Sequence, residues 1–160
     1  AGSDLNHWTP MSTNGWEQLD CRYFAETCRE VLGDYLENHG FKEKRLTNGG
    51  GIVYGRFDLF LEVSYDTNLF PKYTTRVVVG FGDGAYNKQG GFSGVPMWYI
   101  IPQDHPYRTR VHWTFSSKDE LAKVLEEVKT EFLETTLVPL LLNRDGLERI
   151  IGNFRSEFCC

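Results

Sequence analysis

Between Asp20 and Asn38 the apolar positions fall at Phe24, Cys28, Val31, Leu32, Tyr35 and Leu36, spacings that trace one stripe of a helix. The stop follows as Asn38-His39-Gly40-Phe41, where Gly40 supplies a left-handed residue past the helix end and Phe41 folds back on the last turn. The period then changes. Phe41–Leu46 carries Lys42-Glu43-Lys44 and reads as an edge strand. Thr47–Gly51 is a glycine-rich turn, and Ile52–Arg56 is the returning strand. Leu59, Leu61, Val63 and Tyr65 alternate with Phe60, Glu62 and Ser64, the period of a half-buried strand. Asp66–Tyr73 is a connection, and Thr74–Phe81 is a β-branched strand with Val77, Val79 and Phe81 on one face. Gly82–Gly94 is the longest irregular stretch and predicts a mobile hairpin loop. Val95–Ile101 predicts a short strand ended by Pro102, and Arg108–Phe115 a strong one with Val111, Trp113 and Phe115 inward. Ser117-Lys118-Asp119-Glu120 is a capping box with Ser117 and Glu120 as reciprocal partners. It opens a helix with its stripe at Leu121, Val124, Leu125, Val128 and Phe132, which Pro139 kinks or divides. Asp145 caps a last short helix carrying Leu147, Ile150, Ile151 and Phe154.

Strands bunched between helices predict an α+β fold: an N-terminal helix, an antiparallel meander of about five or six strands, then two C-terminal helices. The helices pack on one sheet face, and the other face is left free or partly free. Residues 16–158 are read as one α+β domain. Residues 1–15 are read as a flexible N-terminal segment, with Met11 a candidate start and Ala1–Pro10 either native or added ahead of it.

Charge and cysteines narrow the picture. With 17 basic and 22 acidic residues the net charge is −5, which argues against nucleic acid as the partner. No apolar run is long enough for a membrane helix. The four cysteines lack zinc-site spacing, so reduced thiols and a cytoplasmic location are expected. Cys21 and Cys28 read as packing thiols. The Cys159-Cys160 end resembles the doubly prenylated ends of small vesicle-traffic GTPases, but no phosphate-binding GxxxxGK[ST] accompanies it and lipidation is set aside.

Catalytic chemistry finds little purchase. His7, His39, His105 and His112 form no HxxxH or HExxH arrangement. The carboxylates best suited to acid–base work are Asp58, Glu62, Asp66 and Asp83, with Glu62 opposite His112 or Arg110 as an acid–base or simple cross-strand pair. Ser64, Ser93 and Ser116 lack a nucleophile elbow. No catalytic residue, cofactor or metal site is assigned, and the reading leans away from an enzyme.

Aromatic residues say more: 11 Phe, 8 Tyr and 4 Trp make up 14% of the chain. Phe60, Phe70, Phe92, Trp98, Tyr99 and Tyr107 fall on outward strand positions or in loops, interleaved with Lys88, Arg108 and Arg110. Aromatics among charges suit a protein-binding face. The candidate binding residues are therefore Glu62, Asp83, Tyr86, Phe92, Trp98, Tyr99, Tyr107, Arg110 and His112.

The opening helix closed by Gly40-Phe41, the meander from Ile52 to Phe81 and the Phe132–Leu142 ending together resemble small bacterial α+β proteins of uncharacterised families. Some of those neutralise toxins as immunity proteins, and the resemblance carries over no functional residue. The first expectation is thus a non-enzymatic protein-binding module, such as an acidic inhibitor or immunity-type protein with a basic partner. It would present the outward sheet face and the Gly82–Gly94 loop. The alternative is a small-molecule-binding protein or enzyme with an aromatic pocket between sheet and helices, to which Trp98, Tyr99, Tyr107, His112 and Trp113 would contribute. A homo-oligomeric structural domain is a third possibility.

Overall fold

A computed structural model describes residues 21–67, 69, 72–86, 92–101, 104 and 113–158. The expected flexible segment 1–15, Phe70, Lys88, the stretch 105–112 and Cys159-Cys160 lie outside the described residues.

The first apolar stripe forms a helix that is α-helical over Cys21–Cys28, opens into wide π-type turns over Arg29–Gly33 and tightens again over Asp34–Asn38. Together these make α1. Phe24, Cys28, Leu32 and Leu36 are fully buried on its inner face. Its exit is the one expected: Gly40 sits at φ +86°, its amide donates to the Glu37 carbonyl, and the Phe41 amide reaches back to Leu36. That hydrogen-bonded reversal drops Phe41 into the core.

The meander follows as β1 (Lys42–Leu46), β2 (Ile52–Arg56), β3 (Leu59–Asp66) and β4 (Tyr73–Phe81), each antiparallel to the one before. β1 is the edge. All five of its residues are exposed, and an irregularity between Glu43 and Arg45 breaks its register. Charged side chains and a bulge are what keep an edge strand from pairing with another chain. Glu43 is held to α1 by Arg29, whose Nε and Nη2 donate to its two oxygens at 2.9 and 2.7 Å.

β5 (Val95–Pro96) and β6 (Thr114–Phe115) both pair with β4, on the side that β3 leaves open. β5 joins at Val78 and Val79, and β6 at Tyr73 and Thr74. The strand expected over Val95–Ile101 is thus only two residues long. The chain then turns into a short helix, α2 (Met97–Ile100), with the Ile101 amide donating to the Met97 carbonyl at 3.2 Å. Met97 and Ile101 are the buried pair, a four-residue spacing that suits a helical turn. Of the strand expected over Arg108–Phe115, only the last two residues are described as strand.

A long helix follows: α-helical over Lys118–Glu127, wide and π-type over Val128–Leu137, and α-helical over Val138–Leu141. These make α3. Its start departs by one residue from the expected capping box. Ser117 Oγ accepts from the Glu120 amide at 3.2 Å, but Glu120 Oε1 accepts from the amide and hydroxyl of Ser116, not from Ser117. Pro139 falls in the first turn of the final α-helical segment, directly after the π-type stretch. Proline lacks the amide for a helical bond, and its ring crowds the carbonyl four residues back. α4 (Arg144–Phe158) is 15 residues long rather than short. Its cap is Asn143, whose Oδ1 accepts from the Gly146 amide at 3.1 Å, while Asp145 lies in the first turn, where negative charge is favoured.

One core joins the helices to the sheet face that carries Ile52, Tyr54, Leu61, Val63, Val77 and Val79. The opposite face is covered in part. Val53, Phe60 and Val78 are buried there beneath Ala85, as the described portion of the 82–94 loop folds back over the sheet. The N-terminal helix, antiparallel sheet and C-terminal helices are those the sequence predicts.

Candidate functional site

Two groups of the sequence-predicted residues separate in space. Glu62 and Asp83 belong to the covered sheet face. Glu62 is 8% exposed and accepts from the Ala85 amide at 2.9 Å, which pins the 82–94 loop to β3. Arg45 Nη2 donates to the Asp83 carbonyl at 2.9 Å, so the backbone of Asp83 is the acceptor. Gly84 sits between the two: a Cβ there would lie 2.6 Å from Arg45 Nη2 and 3.1 Å from Glu62 Oε1. This arrangement docks the loop. Over its described part the 82–94 loop is tied to the sheet, because a strand-borne carboxylate beneath it needs a donor.

The second group gathers at the other side of β4. The Tyr86–Phe92 bridge, β5, α2 and α4 surround a cavity of about 410 Å³. Tyr86, Phe92, Trp98, Trp113, Phe154 and Phe158 supply its aromatic walls, Pro96, Met97 and Val77 its aliphatic ones, and Thr74, Thr75 and Arg76 its polar groups. Two features of the chain place these side chains. β5 and β6 meet β4 at opposite ends, so among the described residues no strand pairs with Thr75–Val77 on that side. The four-residue spacing of Phe154 and Phe158 puts both rings on one face of α4, with centroids 5.1 Å apart.

The rings form a continuous cluster. Trp98 meets Phe154 and Phe158 edge-on at 6.2 and 5.7 Å, Tyr99 meets Phe154 at 5.1 Å, and Phe92 meets Phe154 at 6.0 Å. Tyr86 stands edge-on to Phe92 at 5.4 Å and remains 60% exposed. Trp113 stacks on Phe132 of α3 at 5.7 Å, fixing the wall to the main core. Tyr99 supports the cluster from behind, and its hydroxyl donates to Glu157. Tyr86, Phe92 and Trp98 therefore come together, with Tyr99 adjoining them; Tyr107, Arg110 and His112 lie outside the described residues.

Polar chemistry at this wall is sparse. Thr74 and Thr75 hydroxyls are covered and have no hydrogen-bond partner. Arg76 is half-buried. Arg76, Thr74, Thr75, Phe154 and Phe158 were not singled out from the sequence. One signal for Arg76 was present: it is the only charge in Tyr73–Phe81.

Elsewhere, burial pushes the Cys28 thiol far up, keeping it neutral among core side chains. Burial likewise raises the Tyr73 hydroxyl. Among the described residues no helix is long and apolar enough to cross a membrane, and no group of three or more His, Cys, Asp or Glu is placed to hold a metal ion. No protein-family model matches the chain, and neither a curated protein nor a solved structure does.

Proposed function

We propose that this protein binds a small molecule in the aromatic cavity at the β4 edge. The observation that carries the reading is the cavity itself: about 410 Å³, walled by Phe92, Trp98, Trp113 and Phe154, with only a few polar groups. Ligand sites are typically concave, mostly apolar and roughly 300–1,000 Å³, with few polar groups to fix orientation. The described lining offers ring faces, hydroxyls and a guanidinium, groups suited to holding a ligand. A direct test is an NMR titration with 2-naphthamide, a neutral ring-bearing probe, following the indole N–H signals of Trp98 and Trp113. Saturable shifts at both indoles are expected. No shift at either indole, up to the solubility of the probe, would overturn the reading.

A protein partner is the second reading, favoured by a different observation. Phe57, at the β2–β3 turn, is 89% exposed and holds φ +57°, a conformation that costs a bulky side chain. An exposed ring kept in a strained turn is the kind of residue that anchors an interface. In this reading the net charge of −5 favours a basic partner by electrostatic steering, in the manner of an inhibitor or immunity-type protein. Affinity capture from a native lysate at low salt, with wild type beside Phe57→Ser, tests it. Loss of one stoichiometric captured protein in the variant supports the reading, and identical captures refute it.

A further inference from the structure

The cavity's charged group indicates the class of ligand. Most of β4 is apolar or hydroxyl-bearing, yet Arg76 stands in its middle and lines the cavity. Three other arginines of the fold are engaged by oxygen acceptors, Arg29 by Glu43, Arg45 by the Asp83 carbonyl, and Arg144 by Asp58 and Glu148, while half-buried Arg56 lies over the Phe57 ring. The Arg76 side chain makes no hydrogen bond or ion pair among the described residues, its backbone pairing with Ser64 in the ladder. An arginine on an open surface needs no partner, because water serves it. One that is half-buried beside Trp98, Phe92 and Phe154 has lost part of that hydration. The guanidinium cannot shed its proton to relieve the burial, so its natural complement is an anion.

The shape of the site restricts that anion further. A guanidinium presents parallel N–H donors that match the two oxygens of a carboxylate. Inorganic phosphate would satisfy the charge but leave the aromatic wall unfilled. A ring-bearing body fills it, stacking or standing edge-on to Trp98 and Phe154. The hydroxyls of Thr74 and Thr75 are covered and unpartnered beside this position. A threonine exchanges its hydroxyl and methyl by one rotamer step, so either can turn toward an added acceptor.

We infer that the cavity takes a flat apolar acid, a ring system with one carboxylate, its ring against the Trp98 and Phe154 walls and its carboxylate on Arg76. The inference rests on the reading of the cavity as a small-molecule site. The experiment compares three probes of one shape: 2-naphthoate, neutral 2-naphthamide and cationic 2-naphthylmethylammonium. Calorimetric affinities for wild type and Arg76→Gln are measured, with thermal midpoints confirming that both fold. Wild type should bind the naphthoate about tenfold or more tighter than the amide, the difference expected of a charge-assisted hydrogen bond, and the ammonium weakest. Arg76→Gln should lose the preference for the acid over the amide. Equal affinity for acid and amide, or a preference that survives Arg76→Gln, overturns the acid assignment and leaves the cavity reading standing. Failure of all three probes to bind overturns both.

Discussion

Replacing Gly94 with alanine tests how the cavity wall is attached to the sheet. β5 meets β4 through two residue pairs only, and Gly94 stands just before it at φ +100°. A Cβ at Gly94 would lie 2.3 Å from the Val79 carbonyl oxygen and 3.1 Å from Phe60 Cζ; one at Gly80 would lie 2.6 Å from the Gly94 Cα. The two backbones therefore touch where neither residue has a side chain. Alanine at Gly94 meets two costs. Its left-handed backbone costs roughly 1–2 kcal/mol. Moving the strands apart adds about 1–3 kcal/mol, the usual range for overpacking. Gly82 separates the two, because it holds φ +108° with nothing within 4 Å of its would-be Cβ. Gly82→Ala should thus lose about 1–2 kcal/mol from the backbone alone, less the few tenths or more that alanine gains by restricting the unfolded chain. That gain is common to both variants and cancels in their difference. Urea unfolding followed by tryptophan fluorescence should place Gly94→Ala about 1–3 kcal/mol below Gly82→Ala. Since Pro96, Met97 and Trp98 follow directly, Gly94→Ala should also weaken binding of aromatic probes while Gly82→Ala leaves it unchanged. Equal stabilities for the two variants would refute a close approach of β5 to β4, and with it the account of how this wall is fixed.

Three further outcomes follow from the same contacts. Glu62→Ala should destabilise by about 1–3 kcal/mol, because the buried Ala85 amide loses its acceptor, whereas Glu62→Gln should cost less; chemical denaturation ranks the two, and equal losses would refute the hydrogen bond as cause. Cys28, fully buried and neutral, should resist alkylation at pH 8 in the native protein and react on unfolding; peptide mass mapping distinguishes it from the other cysteines, and rapid native labelling would contradict its burial. Hydrogen bonds from Arg29 lower the Glu43 pKa and those from Ser116 lower that of Glu120, so the folded state binds these protons less readily than the unfolded one. Their stabilisation is full above the ordinary carboxylate value of 4.5 and is lost as pH falls through the lowered folded values. Both sites are largely solvated, so Glu43→Gln should remove no more than about 1 kcal/mol at pH 7 and less at pH 2. A larger loss at pH 2 than at pH 7 would reverse the sign.

What the sequence made legible follows the range of the interactions involved. The α1 exit was readable because Gly40 and Phe41 act on carbonyls three and five residues away. The alternation of β3 was readable because side-chain direction in a strand is a local property. Local rules also misled where two of them competed. Val95–Ile101 is rich in strand formers, yet the four-residue spacing of Met97 and Ile101 matches the core better as a helical turn. The capping carboxylate of Glu120 had two adjacent serines within reach, and the amide and hydroxyl of Ser116 together offer more than one donor of Ser117. Glu62 looked outward by alternation, and it was; burial came from a loop more than twenty residues along, which no local pattern encodes.

The cavity was legible only in its ingredients, because its walls come from four distant parts of the chain. Trp98 and Phe92 were visible as aromatics the core could not readily claim, whereas Phe154 was absorbed into a helical stripe that is indeed mostly core. The same residue serves both roles, since its ring closes the main core on one side and meets Trp98 on the other. Sheet topology explains why space is left there. Two short strands anchored at opposite ends of β4 frame its middle, and a lone cation in that middle would be a poor choice for a strand meant only to be covered. A structural role alone would be met as well by another threonine or valine at position 76, as its neighbours show. On the proposed reading, a carboxylate arriving at Arg76 offsets the cost of seating a guanidinium in an aromatic-walled cavity, which ties the architecture of the sheet edge to the chemistry of the ligand it would accept.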